Sequence, residues 1–534
     1  MLDRLSEIAT RWPGLSAVAL GLVAALGYPP LHLWWVSLPA LAAFIALLRS
    51  APTTRAAAWH GWLFGWAHLT LANNWIATAF TYQAKMPEIL GWFAVPLLCI
   101  YLAVYSALAA SAAHRLAKGA PLLAFGAVFA ASWIVFEWMR GWVFTGYPWP
   151  PLGLILLGGW ETPGVALIAP YMGTYALSGA AVLLAAWVYA LATRWKGAAL
   201  LPVFGIFALL MHAFTPVSDD SDIAYTLVQP LIPQDEINDG SKFGEQFARI
   251  ASLTQPGRDT SRVALWPESA IPDFLEDGYP QRYYNQTTAV NPLTRQGDPE
   301  FARNRIAGVI GPETTLLAGV INLDIDVVAG RRRAVSARNS VIAMNGAGEV
   351  THTYAKGHLV PFGEYLPFRS ILEPLGLSRL VAGTIDYRPG PGPRTLDLGE
   401  HGKAGVQICY EIVFSGHVAA REDRPDYIFN PSNDGWFGWW GPPQHLAQAR
   451  LRAIEEGLPV LRSTTTGISA VIDANGVVRK SVAMSRAEAI EGMIPKAHPP
   501  TPFARFGNAL GLAWALLLLI LGLGLPRLLA LRTS

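Results

Sequence analysis

Charge is what this chain has little of. Asp, Glu, Lys and Arg supply only 15% of its 534 residues and hydrophobic residues 52%, whereas soluble domains carry about 25% charged residues. A wholly water-soluble protein is therefore excluded, and much of the chain belongs in lipid. Cysteine is scarcer still. Cys99 and Cys409 are the only two, which excludes a disulfide framework in any compartment. The net charge of +2 is close to zero for this length and offers no electrostatic reason for a nucleic-acid partner. Also missing are a Gly-x-x-x-x-Gly-Lys-Ser/Thr phosphate loop and any spacing of His, Cys, Asp or Glu suited to a metal, so no cofactor is expected.

What is present is tryptophan, twenty in all, and a series of stretches free of charge. Pro13–Leu48, Ala56–Ala84, Ile89–His114, Gly119–Phe136, Thr162–Thr193 and Gly197–Ser218 hold no Asp, Glu, Lys or Arg. Gly27-Tyr-Pro-Pro30 is a turn signal that breaks the first. It thus reads as two crossings, 14–28 and 31–48, short or tilted against the roughly 20 residues a crossing takes. The others give one each, which makes seven, and Phe506–Pro526 makes an eighth. No small-x-small site follows the first run, which marks it as an anchor rather than a removable signal. Under this count Arg4, Arg11, Arg49, Arg55, Arg115, Lys118, Arg194, Lys196, Arg527 and Arg532 fall on one side. The opposite short loops hold only Lys85, Arg140 and Arg505. Both termini are expected in the cytoplasm, with residues 219–505 outside it.

The chain divides into a bundle over 1–218, an α/β domain over 219–500, and a last helix with its tail over 501–534. In the middle part apolar runs shorten to strand length. Ile223–Val228, Arg262–Trp266, Thr315–Ile321, Ser340–Met344, Gly405–Cys409, Tyr427–Asn430 and Ser469–Ile472 are rich in β-branched residues and are expected as strands. Gln444–Glu456 has helical periodicity, with Leu446, Ala449, Ala453 and Ile454 on one face and Arg450, Arg452, Glu455 and Glu456 mostly opposite. Strands alternating with helices predict an α/β layer fold. Glu276–Arg305 reads as a long surface insertion, and Arg331-Arg-Arg333 as a solvated loop. Trp142, Trp149 and Trp160 read as interfacial anchors. His60 and His68 are expected to pack within the bundle, and Asn73 and Asn74 to hydrogen-bond neighbouring helices.

Cys409 closes one expected strand, while Glu268 and Lys356 stand at similar strand-to-loop edges. An acid, an amine and a thiol suit acyl transfer through a thioester. The thiolate is the nucleophile, so a base must take its proton. A cation must stabilise the oxyanion that follows. Cys99, inside an apolar run, reads as filler.

Three blocks carry these residues: Trp266-Pro-Glu-Ser269, Lys356 with Val360-Pro-Phe-Gly-Glu-Tyr-Leu-Pro367, and Ile408-Cys-Tyr-Glu411. They resemble the catalytic blocks of the nitrilase (carbon-nitrogen hydrolase) superfamily, and most of all its membrane branch, the apolipoprotein N-acyltransferases. Asn430-Pro-Ser-Asn-Asp-Gly-Trp-Phe-Gly438, Gln444-His-Leu-Ala-Gln-Ala-Arg450 and Glu137-Trp-Met-Arg-Gly-Trp142 add to the likeness, which spans nearly the whole chain. The resemblance implies an αββα sandwich facing the periplasm, on an eight-helix bundle in the bacterial inner membrane. It implies Glu268 as general base, Lys356 as oxyanion stabiliser and Cys409 as nucleophile, with no cofactor. Glu364 would support the lysine, Tyr410 and Glu411 would shape the pocket, and Trp436 would lie over the cleft and touch lipid. The sn-1 acyl chain of a phospholipid such as phosphatidylethanolamine would pass through Cys409 to the N-terminal diacylglyceryl-cysteine of an apolipoprotein. One departure stands out: after Gln229-Pro-Leu-Ile-Pro-Gln234 the chain reads Asp-Glu-Ile-Asn238 where many members have a tryptophan nearby, and Phe243 is the candidate substitute. Three alternatives remain open: a membrane-anchored amidase or nitrilase with the same triad, a Cys-His hydrolase using His352 or His358, and a transporter or scaffold with an inactive enzyme domain.

Overall fold

The computed structural model describes residues 11–82, 88–194, 200–213, 215, 217–375 and 385–533. Arg4, Lys85 and Lys196, which entered the charge count above, lie outside them. Among the described residues, helices stand where the charge-free runs fall. They are α1 (Pro13–Ala25), α2 (Trp34–Arg49), α3 (Thr54–Ala72), α4 (Ile89–Ala117), α5 (Leu122–Arg140), α6 (Gly173–Arg194) and α7 (Leu200–Met211), with another at Asn508–Thr533. Three segments, α4, α5 and Gly173–Thr193 of α6, are long and apolar enough to cross a membrane, while α1, α2 and Asn508–Gly524 are shorter apolar helices.

Local chemistry sets several boundaries. Pro13 occupies the first turn of α1, where no backbone donor is needed. The Thr53 hydroxyl accepts from the Ala56 N–H and caps α3. Gly61 and Gly65 let α3 lie against α4, since a Cβ on either would come within 2.5 Å of Ala110 or Ser106. His60 and His68 are buried, with His68 Nε2 2.9 Å from the Tyr28 hydroxyl. Asn73 accepts a hydrogen bond from the Tyr147 hydroxyl at 2.8 Å, whereas the Asn74 amide, in the turn after α3, donates to the Leu71 carbonyl in the last turn of that helix.

Twelve strands follow among the described residues. In one sheet they run β1 (Asp220–Gln229), β2 (Arg262–Leu265), β3 (Thr314–Val328), β4 (Arg331–Met344) and β5 (Val350–Ala355). The second holds β6 (Thr395–Asp397), β7 (Lys403–Val406), β8 (Tyr427–Ser432), β9 (Val460–Thr464), β10 (Ser469–Ile472) and β11 (Val478–Val482), and β12 (Glu488–Pro495) returns to the first. The orders are β12-β1-β2-β3-β4-β5 and β11-β10-β9-β8-β7-β6. The centre of each is parallel, β1 to β2 to β3 and β7 to β8 to β9. Parallel strands are buried on both faces, and here Leu227, Leu265 and Leu317 share a core with Val406, Phe429 and Leu461. On the far face of the first sheet, Ala264, Leu316 and Ile342 pack with Phe247 and Ile250 of α8 (Phe243–Thr254) and Ile306 and Ile310 of α9 (Pro299–Ile310).

The fourth layer is α10 (Gly441–Glu456), and it corrects the expectation of a charged outer face. Leu446, Ala449 and Ala453 pack in the same cluster as the second sheet, while Ala447, Leu451 and Ile454 belong to the core of the bundle. Arg450, Arg452, Glu455 and Glu456 are all buried. They are partnered instead of solvated: Arg452 Nε lies 2.7 Å from Glu455. Arg450 donates to the carbonyls of Gly476 (2.7 Å), Gly158 (2.9 Å), Gly159 (2.6 Å) and Thr162 (2.8 Å). The polypeptide closes with α11 (Asn508–Thr533), which packs on α5 and α6.

Other expectations also change. The stretch Gly405–Cys409 leaves its strand at Val406, and Cys409 instead opens a 3₁₀ turn over Cys409–Val413. Within Glu276–Arg305 the chain is tied down: buried Asp273 accepts from the N–H groups of Thr288 and Ala289 and pairs with Arg305 at 2.5 Å, a residue of α9. Arg331, Arg332 and Arg333 are exposed as expected but begin β4 after a turn at Gly330 (φ +73°). Sequence reading missed β5, β6, β9, β11 and β12, most of which carry too few apolar residues to stand out.

Replacing Arg450 with methionine leaves up to four buried carbonyls without that donor, and each unsatisfied group costs about 1–3 kcal/mol. A lower thermal midpoint in detergent is expected. Arg450→Lys, which keeps the charge but not the fork, should recover only part of it.

Candidate active site

Glu268, Lys356 and Cys409 come from different strand ends and meet in one buried place. Glu268 follows β2, and the close approach of its loop to β3 requires Gly319, where a Cβ would stand 2.6 Å from the Glu268 Cα. Lys356 follows β5 and is locked by its N–H to the Asn339 carbonyl at 2.8 Å. Cys409 begins the 3₁₀ turn after β7 with φ +51°, a left-handed conformation uncommon for a side-chain-bearing residue. Exposure is 6% for Glu268 and Cys409 and 1% for Lys356.

The lysine is the hub. Its Nζ lies 3.0 Å from Glu364 Oε2 and 3.8 Å from Glu268 Oε1. Asn339 bridges the two acids, its amide donating to Glu268 Oε1 at 2.6 Å and to Glu364 Oε1 at 2.8 Å. The other Glu268 oxygen accepts the Asn433 N–H at 2.7 Å, and the other Glu364 oxygen accepts the Val360 N–H at 2.8 Å. Burial by itself would push the ammonium down, but Glu364 and Glu268 outweigh it and hold Lys356 well above its ordinary value. Burial pushes the Glu268 carboxyl up, against the pull of Lys356. Burial and then the Glu268 charge push the Cys409 thiol up, with Lys356 pulling it down. Burial thus favours the neutral thiol, while the two carboxylates hold the neighbouring lysine as an ammonium.

The remaining expected residues divide by what they touch. Glu411 ties loops together: it accepts from Ile408 N–H (2.8 Å), Gly357 N–H (2.7 Å), His358 N–H (3.2 Å) and the Tyr354 hydroxyl (2.8 Å). Burial pushes its carboxyl up to about 7 against those donors. The Tyr410 hydroxyl reaches the Gly146 carbonyl of the bundle at 3.4 Å. Trp436, half-buried, sits edge-on to Tyr82 with centroids 6.1 Å apart. Phe243 is the half-buried first residue of α8. His358 lies against Phe414, centroids 3.8 Å apart, and burial pushes it down to about 4, which makes it a poor base for a cysteine at neutral pH.

Trp149 overturns its reading as an interfacial anchor. It is 0% exposed, donates to Gln444 at 2.8 Å and packs on Trp75, Phe437 and His445. Trp142 and Trp160 remain exposed. Sequence reading also missed Asn339 and the Asn433 N–H. The available signal was a polar pair, Asn339-Ser340, immediately before the apolar run Val341–Met344 that ends β4.

Two facing mixed sheets with layered helices, an acid, an amine and a thiol at strand ends, and an apolar bundle joined to them define a carbon-nitrogen hydrolase domain of membrane type. Residues 241–489 match the family model of the carbon-nitrogen hydrolases, and residues 20–187 that of the apolipoprotein N-acyltransferase N-terminal domain. A protein of Bradyrhizobium diazoefficiens named apolipoprotein N-acyltransferase is 32% identical, over 92% of this chain and 91% of its own. One of the same name from Caulobacter vibrioides is 32% identical over 96% and 94%. Among solved structures, a Saccharomyces cerevisiae member of branch 10 of the nitrilase superfamily aligns over 53% of this chain and 92% of its own, at 19% identity and a TM-score of 0.33. The chain belongs to the apolipoprotein N-acyltransferase family.

Glu411→Gln would set an amide N–H₂ against one of the four donors it now accepts, and one buried hydrogen bond lost this way costs about 1–3 kcal/mol. The variant is expected to melt lower and to lose acyl transfer together, checked by thermal unfolding and turnover on one preparation.

Proposed function

We propose that this protein is an apolipoprotein N-acyltransferase working by a ping-pong mechanism with Glu268, Lys356 and Cys409 as its triad. The observation that carries the reading is that the family likeness extends over both the bundle and the enzyme domain, a combination a soluble-substrate hydrolase does not need. Glu268 takes the thiol proton as the sulfur attacks the sn-1 ester carbonyl of a phospholipid such as phosphatidylethanolamine. The tetrahedral oxyanion forms beside the Lys356 ammonium, which stabilises it. As the intermediate collapses, Glu268 returns the proton to the departing glycerol oxygen, and a lysophospholipid leaves an acyl thioester on Cys409. The α-amine of an N-terminal diacylglyceryl-cysteine then attacks that thioester and gives a proton to Glu268, and the released thiolate recovers it. Ester and amine become amide and alcohol.

Glu364 and Asn339 hold the lysine and the base in register, and Tyr410, Glu411 and Trp436 shape the approach. Burial supports transfer over hydrolysis, because a thioester kept from water persists until the amine arrives. Eight crossings over 1–218 and 501–534, with both termini cytoplasmic, put the domain over 219–500 in the periplasm of the bacterial inner membrane. Both acyl chains stay in lipid there. A membrane-anchored amidase is the competing reading, and it yields no lysophospholipid.

Purified protein given phospholipid alone should release lysophospholipid and carry an acyl group on the tryptic peptide containing Cys409, as read by mass spectrometry. Cys409→Ala should abolish both, and Cys409→Ser nearly so; full activity in either removes the thioester. Lys356→Arg is expected to lose at least roughly tenfold, about 1.4 kcal/mol of transition-state stabilisation. Acid removes the basic form of Glu268, and burial raises that carboxyl above its ordinary 4.5. The acid limb of the acylation rate should therefore lie above that value, and a limb at or below it would remove Glu268 as the base.

A further inference from the structure

The reaction described above leaves one buried polar cluster unused, and it touches the nucleophile's own backbone. His445 of α10 is buried, with Nε2 3.1 Å from the carbonyl oxygen of Cys409. Its Nδ1 lies 3.0 Å from Arg462 Nη2 and 3.1 Å from Asp434 Oδ1. Arg462, itself buried on β9, grips Asp434 at 2.6 and 2.7 Å and also donates to Asn430. Asp434 takes a further donor from Ser432 at 2.7 Å.

Donor and acceptor roles fix the tautomer. A carbonyl oxygen only accepts, so the Nε2 beside the Cys409 oxygen carries the ring proton; Nδ1 meets both a donor, Arg462, and an acceptor, Asp434 Oδ1, and in this tautomer takes the Arg462 N–H on its lone pair. The partner of Nε2 is a carbonyl, which only accepts, and the bond is complete. A proton on Nδ1 instead would gain Asp434 Oδ1 but oppose the Arg462 donor and leave a lone pair against the Cys409 oxygen. Protonation on both nitrogens is disfavoured, since burial and the Arg462 charge push the imidazole down to about 4.

Cys409 holds a left-handed backbone conformation, which persists only where surrounding contacts determine it. We propose that His445, its tautomer set by the Cys409 carbonyl together with Arg462, is a positioning residue for the nucleophile: its Nε2–H anchors the Cys409 carbonyl and thereby fixes the orientation of the thiol and of the Cys409–Tyr410 peptide. Because the C=O and N–H of a trans peptide point oppositely, the same bond directs the Tyr410 N–H away from His445. The inference rests on the reading of Cys409 as the nucleophile. His445 takes no proton in the reaction.

Side-chain reach provides the test. The amide nitrogen of glutamine can stand where Nε2 stands, whereas that of asparagine reaches only as far as Nδ1. In the full-length protein, acyl-enzyme formation from phospholipid should fall at least roughly tenfold in kcat for His445→Asn, with KM for the phospholipid unchanged. His445→Gln should stay within about threefold of wild type and keep the same pH profile. Wild-type kcat in the asparagine variant, or equal losses in both variants, would overturn the assignment. Should either variant fail to fold, ¹⁵N NMR of the histidine rings in the wild-type protein decides it: an Nε2–H tautomer at His445 is expected, and an Nδ1–H tautomer overturns it. Cys409→Ala in the same assay separates the two ideas, because acylation persisting there would sink the nucleophile itself, whatever His445 does.

Discussion

A buried ammonium with two carboxylates is the constraint on which the rest depends. Lys356 sits where water does not reach, so its charge survives only because Glu268 and Glu364 lie beside it. Two carboxylates cannot share that space without the cation, and removing one partner of such a buried set costs about 3–5 kcal/mol. Asn339 completes the set by donating to both acids, and the strands must deliver all four side chains to one point. Gly319 has no side chain for the same reason: the Glu268 loop passes where its Cβ would be. Electrostatics thus dictates local geometry here, down to the absence of a single carbon atom.

The same logic explains α10. A helix facing water on one side can afford charged residues there, but this one lies between the sheets and the bundle. Its arginines are retained because Arg450 finds carbonyls of the bundle across the joint, while Arg452 pairs with Glu455 of the same helix and donates to Thr174 across that joint. Trp149 and Gln444 add a further bond between the two parts. Bundle and enzyme domain are consequently one packed body, which suits a reaction whose acyl donor and acceptor are both held in lipid.

Much of the candidate site was legible in sequence because its residues sit in long, ordered motifs: Trp266-Pro-Glu-Ser269, the block beginning at Lys356, and Ile408-Cys-Tyr-Glu411. The parallel strands were legible too, as β1, β2 and β8 are buried on both faces and read as apolar runs. Legibility failed where burial is not written in apolarity. The arginines and glutamates of α10 look solvated because the bundle face that covers them comes from residues far away in the chain. Trp149 looked interfacial for the opposite reason, since tryptophan suits both a wet rim and a dry core. Edge strands such as β6 and β11 carry mixed residues and announce little.

Composition and periodicity by themselves determined that the chain has an apolar bundle and an α/β layer fold, because both follow from how much surface each stretch must hide from water. Motif order determined the family. Only the tertiary structure decided which polar groups share a cavity: that Asn339 bridges two acids, that Glu411 ties loops, that His445 meets the Cys409 carbonyl. Such contacts join residues tens of positions apart, and their strength depends on desolvation, a property of the folded surroundings and not of any one residue.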